Sequence, residues 1–160
     1  MPAVLFVCTG NEYRSPIAAA CLYKLLRTQR VDAGWRVGSA GTWTIPGRPV
    51  AMQAVENAIL LGLSIEGHRT QLITNFLLED YDLILSMERG HKEAIQVEFP
   101  PMRKHVYLLS EMVGNIPFDI PDPQSSPGQA YRILHEMCDL IQQGFPRIKQ
   151  LAESLSRSEA

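Results

Sequence analysis

The chain has 160 residues, 46% hydrophobic and 20% charged, with a formal net charge of −2, which excludes a disordered polymer and a strongly basic nucleic-acid binder. That length fits one domain, residues 1–160, able to bury its own core without a metal or disulfide staple, and no basic run offers an anionic membrane a handle. Its three cysteines, Cys8, Cys21 and Cys138, form no CxxC pair, the apolar N-terminus is too short for a signal peptide, and no apolar run reaches the roughly 18 residues of a membrane span; the expectation is a reduced, cytoplasmic protein.

Ala3–Val7 is a continuous apolar run bounded by Thr9-Gly10-Asn11, the pattern of a strand buried on both faces. Ile17, Ala20, Cys21 and Leu25 then recur at helical spacing over Pro16–Arg27, with Ser15 placed as N-cap and Pro16 as first helical residue. Trp35–Ser39 reads as a second strand, followed by a Gly/Pro-punctuated loop over Ala40–Pro49 and a helix over Ala51–Leu63. A third strand is predicted over Leu83–Met87, a helix over Glu88–Val97 and a fourth strand over His105–Leu109. Asn115–Gly128 is too rich in Pro and Asp for a regular element. From Gln129 onward Ile133, Leu134, Met137, Cys138, Ile141, Phe145, Ile148 and Leu151 mark a long amphipathic helix, which Gly144 and Pro146 should kink or break; residues 153–160 should fray.

Strand–helix alternation of this kind implies an α/β fold whose parallel sheet is covered by helices on both faces, with ligands bound beyond the carboxyl ends of the strands. At that end of the first strand lies Cys8-Thr9-Gly10-Asn11-Glu12-Tyr13-Arg14-Ser15, a CxxxxxR sequence leading into a helix. Gly10 and Asn11 suit the unusual backbone angles that curl a loop around one anion. The backbone amides of Thr9 through Ser15 would then point inward as a phosphate nest, the helix start would add its positive end, and Arg14 would offer a planar fork to two phosphate oxygens. A cysteine at the bottom of such a cup is expected to react as the thiolate, attacking phosphorus to give a thiophosphate intermediate.

With these residues the sequence resembles the low-molecular-weight protein tyrosine phosphatases. The CxGNxxRSP signature of that family is matched by Cys8, Gly10, Asn11, Arg14, Ser15 and Pro16. Ser39-Ala40-Gly41-Thr42, Gly47, Pro49, Gly67-His68-Arg69, Leu83–Glu88 and Asp122-Pro123 follow in the family's order, so the likeness covers nearly the whole chain. It implies a four-stranded parallel sheet with helices on both faces, a flavodoxin-like three-layer sandwich. The implied catalytic residues are Cys8, Arg14 and Asp122, without metal or cofactor; Asp122 would protonate the departing oxygen and later activate water, a role suited to a mobile loop. Asn11, Ser15, Ser39 and His68 would brace the loop. The implied partner is a phosphorylated protein or a small aryl phosphate, the chain acting as monomer or weak dimer.

The sequence also departs from that pattern. Tyr13 stands where many members have a second cysteine, and Cys21 reads as core packing rather than a redox neighbour. Glu12 puts a carboxylate at the rim, Gln124-Ser125 replaces the aromatic residues after the Asp-Pro, and Ala51 stands near a position usually acidic. Trp43 or Tyr13 could supply the missing substrate wall, though Trp43 reads equally well as a loop anchor. Asp119 is the competing acid in the same loop. Three alternatives stay open: a phosphoarginine phosphatase, a phosphate- or phosphopeptide-binding module without turnover, and, least favoured, an arsenate reductase, since Glu88–Pro101 lacks the relay cysteines such an enzyme needs.

Overall fold

A computed structural model describes residues 1–158. Four strands, β1 (Ala3–Cys8), β2 (Arg36–Gly41), β3 (Leu83–Ser86) and β4 (Val106–Leu108), form one sheet in the order β2-β1-β3-β4, every pairing parallel. Five helices surround it: α1 (Arg14–Thr28), α2 (Met52–Leu60), the single turn α3 (Asn75–Leu78), α4 (Arg89–Glu98) and α5 (Ala130–Ser158). The strand periodicity of two divides β1 between two apolar layers. Val4, Phe6 and Cys8 face Ile17, Leu22 and Leu26 of α1 and Leu134 and Met137 of α5. Leu5 and Val7 face Leu78, Ile84 and Ile95 on the other side. The three-layer arrangement expected from the sequence is therefore present. With β2 on one side of β1 and β3 on the other, the connections leave the sheet in opposite directions at the carboxyl end of β1, which opens a crevice there.

Several boundaries differ from the sequence reading. α1 starts at Arg14, so Ser15 is not its N-cap and its hydroxyl is engaged with Cys8 and Asn11 inside the loop, while Tyr13 holds the cap position with no side-chain cap bond. α2 ends at Leu60, where Gly62 adopts φ +74° to reverse the chain. The long terminal helix does not break at Gly144 or Pro146. Gly144 lies against Met112, where an added Cβ would come within 2.8 Å of the Met112 Cβ, so close packing holds the helix against its neighbour. Pro146 and Gln142, the residue whose carbonyl loses its donor, are both on the exposed side, so water replaces the lost bond. Nor do residues 153–158 fray: Leu151, Ala152 and Leu155 continue the apolar stripe onto the core, and residues 159–160 lie outside the described residues.

The cysteine reading is corrected too. Cys21 on α1 and Cys138 on α5 are joined by a disulfide across a Cα–Cα distance of 6.0 Å, because the two helices pack side by side on one face of the sheet; Cys8 is free. The bond closes a loop with a sequence separation of 117, for which chain entropy gives a stabilisation of about 5 kcal/mol, with measured bridges spanning roughly 0–5 kcal/mol. Cys138→Ser is expected to lower the unfolding free energy of oxidised protein measurably while leaving reduced protein nearly unchanged; urea titrations with and without reductant check this.

Candidate active site

The turn from β1 into α1 is held in shape by one buried residue. Asn11 has φ +56°, and it is the left-handed residue of the loop; Gly10 does not share that conformation, contrary to expectation. Asparagine tolerates this region better than most side chains. Every polar group of Asn11 beyond its own N–H is used: Nδ2 donates to Ser15 Oγ (2.8 Å) and Ser39 Oγ (3.0 Å), Oδ1 accepts from the Gln71 amide (2.8 Å), and the backbone carbonyl pairs with His68 Nε2 (3.1 Å). Ser15 in turn lies 3.0 Å from Cys8 Sγ. The four bracing residues suggested by the resemblance therefore converge on the loop. Gly41 closes it from the β2 side: a Cβ there would meet the Thr9 carbonyl at 2.5 Å, and the amides of Thr42 and Trp43 bond the carbonyls of Cys8 and Thr9.

Arg14 is 3% exposed, with Nη1 donating to Glu88 Oε2 (2.8 Å) and to the Ile120 carbonyl (2.7 Å). Both Nη1 hydrogens are thus committed, which leaves Nε and Nη2 as the remaining donors of the fork. Cys8, Thr9, Gly10, Glu12, Tyr13 and Arg14 line one cavity of about 440 Å³, together with Trp43, Arg48, Asp122 and Gln124. Asp122 Oδ1 accepts the Gln124 amide (2.9 Å), capping a short 3₁₀ turn, while Oδ2 has no partner among the described residues. Asp119 is not in the cavity; its carboxylate accepts the Arg89 amide at the start of α4. Trp43 is 83% exposed and lines the cavity together with Tyr13, which is buried and fixed through its hydroxyl by Asn57. Burial first, partly offset by the Asn57 bond and reinforced by Glu56 and Asp122, raises the Tyr13 phenol above its usual range.

Sequence reasoning assigned no role to Glu88, His91, Arg48, Asn57 or Gln71, all of which touch the loop or its cavity. Glu88 was within a recognised motif, but nothing local says that it pairs with a residue 74 positions away. Glu12 lines the cavity with no ion-pair partner among the described residues, as does Arg48. Burial is the leading cause that lowers both His68 and His91 below the ordinary 6.5. The unfolded chain then binds protons that the folded chain refuses, so the stability tied to these neutral rings is complete above about pH 6.5 and declines as pH falls toward their folded values. Melting temperature is expected to drop across that acidic window, with a shallower drop in His68→Asn; scanning calorimetry from pH 7.5 downward checks it.

The family model of the low molecular weight phosphotyrosine protein phosphatase matches residues 3–160. A probable low molecular weight protein-tyrosine-phosphatase, EpsP, of Ralstonia nicotianae is 37% identical over 152 residues, covering 92% of this chain and 97% of the relative. A protein-arginine-phosphatase of Geobacillus stearothermophilus is 31% identical, covering 98% and 97%. Among solved structures, the tyrosine phosphatase Wzb of Escherichia coli in complex with sulphate superposes with a TM-score of 0.78 at 30% identity, covering 94% of this chain and 99% of that one. A loop braced around a free cysteine and a buried arginine, found in a chain matched over nearly its full length, identifies a cysteine-dependent phosphatase that belongs to the low-molecular-weight phosphotyrosine protein phosphatase family.

Proposed function

We propose that this enzyme hydrolyses phosphotyrosine and other aryl phosphate monoesters in two displacements, with Cys8, Arg14 and Asp122 as its catalytic residues. The observation that carries the reading is that Cys8, Arg14 and Asp122 line one cavity together with the aromatic residues Tyr13 and Trp43. The inward amides of residues 9–15 and the free edge of Arg14 hold the phosphoryl oxygens. Cys8 thiolate attacks phosphorus, the bond to the aryl oxygen breaks, and the proton on Asp122 Oδ2 passes to that oxygen as it leaves. In the second displacement Asp122 takes a proton from water, whose oxygen attacks phosphorus. The S–P bond breaks, inorganic phosphate leaves, and sulfur departs as thiolate eased by the Ser15 hydroxyl. The chain works as a single phosphatase domain, monomeric or weakly dimeric, on phosphorylated protein in the cytoplasm.

A phosphoarginine substrate is the second reading, favoured by the unpaired Glu12 carboxylate in the cavity, which would suit a guanidinium leaving group, and by the arginine phosphatase relative. Initial rates on matched peptides carrying phosphotyrosine, phosphoarginine or phosphoserine decide between them. Phosphotyrosine is expected to be turned over fastest; faster release from phosphoarginine would transfer the assignment to the second reading.

A further inference from the structure

His91 sits in the first turn of α4, outside the chemistry assigned above, yet its ring is 6% exposed and reaches the phosphate loop. Its Nδ1 accepts the backbone N–H of Glu88 at 3.1 Å, completing a capping box with the Glu88 side chain. That bond fixes the tautomer. A neutral imidazole whose Nδ1 is an acceptor carries its proton on Nε2. Nε2 lies 2.8 Å from Thr9 Oγ1 and 3.4 Å from Glu88 Oε2, so the shorter bond runs from His91 to the threonine hydroxyl oxygen.

Thr9 Oγ1 is therefore an acceptor, and its own hydrogen is free. The hydroxyl has no other partner among the described residues, and Thr9 lines the cavity immediately after Cys8. We propose that the Thr9 hydroxyl is a side-chain hydrogen-bond donor to the bound phosphoryl group, oriented by His91 acting as a positioning residue through Nε2–H. This rests on the reading of the cup as a phosphoryl site. His91 is not a base here: the nitrogen facing Thr9 carries the proton, and the other nitrogen is occupied. The same ring ties Thr9 to Glu88, and Glu88 to Arg14, so two donors on the phosphate share one support. Keeping the ring neutral matters, and its surroundings favour that. Burial depresses its protonation, Arg14 assists, and Glu88, Asp119 and Asp122 oppose.

The test compares Thr9→Val, Thr9→Ser, His91→Asn and His91→Gln with wild type on nitrophenyl phosphate. Asparagine can keep the cap bond to Glu88 while losing the bond to Thr9; glutamine can restore a donor at the Nε2 position. Thr9→Val is expected to lower kcat/KM by about 10- to 100-fold, the worth of one hydrogen bond to a charged group, with Thr9→Ser recovering most of it. His91→Asn should show a similar loss, His91→Gln a smaller one, and Thr9→Val/His91→Asn little more than either alone, since both remove one interaction. Nitrogen NMR of wild type at pH 7.5 should report His91 protonated on Nε2, a measurement independent of any variant's folding. Additive losses in the double variant, wild-type rates in Thr9→Val, or a proton on Nδ1 would overturn the proposal while leaving the phosphatase reading intact. Wild-type protein without Cys8-dependent turnover would overturn both.

Discussion

Cys8→Ser is expected to lower turnover of aryl phosphates by at least about 10⁴-fold, the order of loss that follows removal of a covalent nucleophile. The substitution exchanges sulfur for oxygen in a site otherwise unchanged. The neighbouring hydroxyl of Ser15, 3.0 Å away, is no base that could activate an alcohol. No histidine supplies that function: His68 Nε2 pairs with the Asn11 carbonyl and His91 Nε2 with Thr9, and among the described residues the side-chain partner of Cys8 Sγ is Ser15, not an imidazole. Phosphate capture, in contrast, depends on the amides and on Arg14, and should persist. Nitrophenol release paired with calorimetric binding of inorganic phosphate separates the two. A serine variant within a hundredfold of wild type would show that sulfur is not the nucleophile.

Asp122→Asn should slow hydrolysis of phenyl and tyrosyl phosphates by about 10²–10⁴-fold, the usual worth of protonating a poor leaving group. Asparagine is the informative replacement because its Oδ1 can still accept the Gln124 amide and cap the 3₁₀ turn, so the loop should keep its shape. Only the proton is lost. A dinitrophenyl leaving group, stable as its anion, needs no proton, and its kcat/KM should fall far less. Asp119→Asn should leave both rates near wild type, since that carboxylate serves the Arg89 amide at the start of α4. Plotting log kcat/KM, which reports the first displacement, against leaving-group acidity for the three proteins gives a steep dependence in Asp122→Asn and shallow ones in the others; the reverse pattern would move the acid to Asp119.

What the sequence disclosed was mostly local. The buried run Ala3–Val7, the curl that follows it and the apolar spacing of α1 are neighbours along the chain, so pattern and turn chemistry suffice to place Cys8 and Arg14 at the mouth of a sheet crevice. The misplaced details have a common origin in tertiary contacts. Ser15 looked like a helix cap because its preference is for caps; its actual partners are Cys8 and Asn11 within a loop whose shape no propensity describes. Pro146 looked like a break because its neighbours' burial was unknown. The Arg14–Glu88, Thr9–His91 and Cys21–Cys138 pairs span 74, 82 and 117 positions, and no periodicity reaches that far. Between Asp122 and Asp119 the Asp-Pro match favoured Asp122, and in the fold Asp122 lines the cavity while Asp119 does not.

The Ile120 carbonyl that accepts from Arg14 belongs to a residue whose amide bonds the carbonyl of Met87, the residue just after β3. Two positions further along is Asp122. The segment bearing the proposed proton source is thus moored to the guanidinium itself. Loosening this mooring would degrade anion affinity and leaving-group release in step.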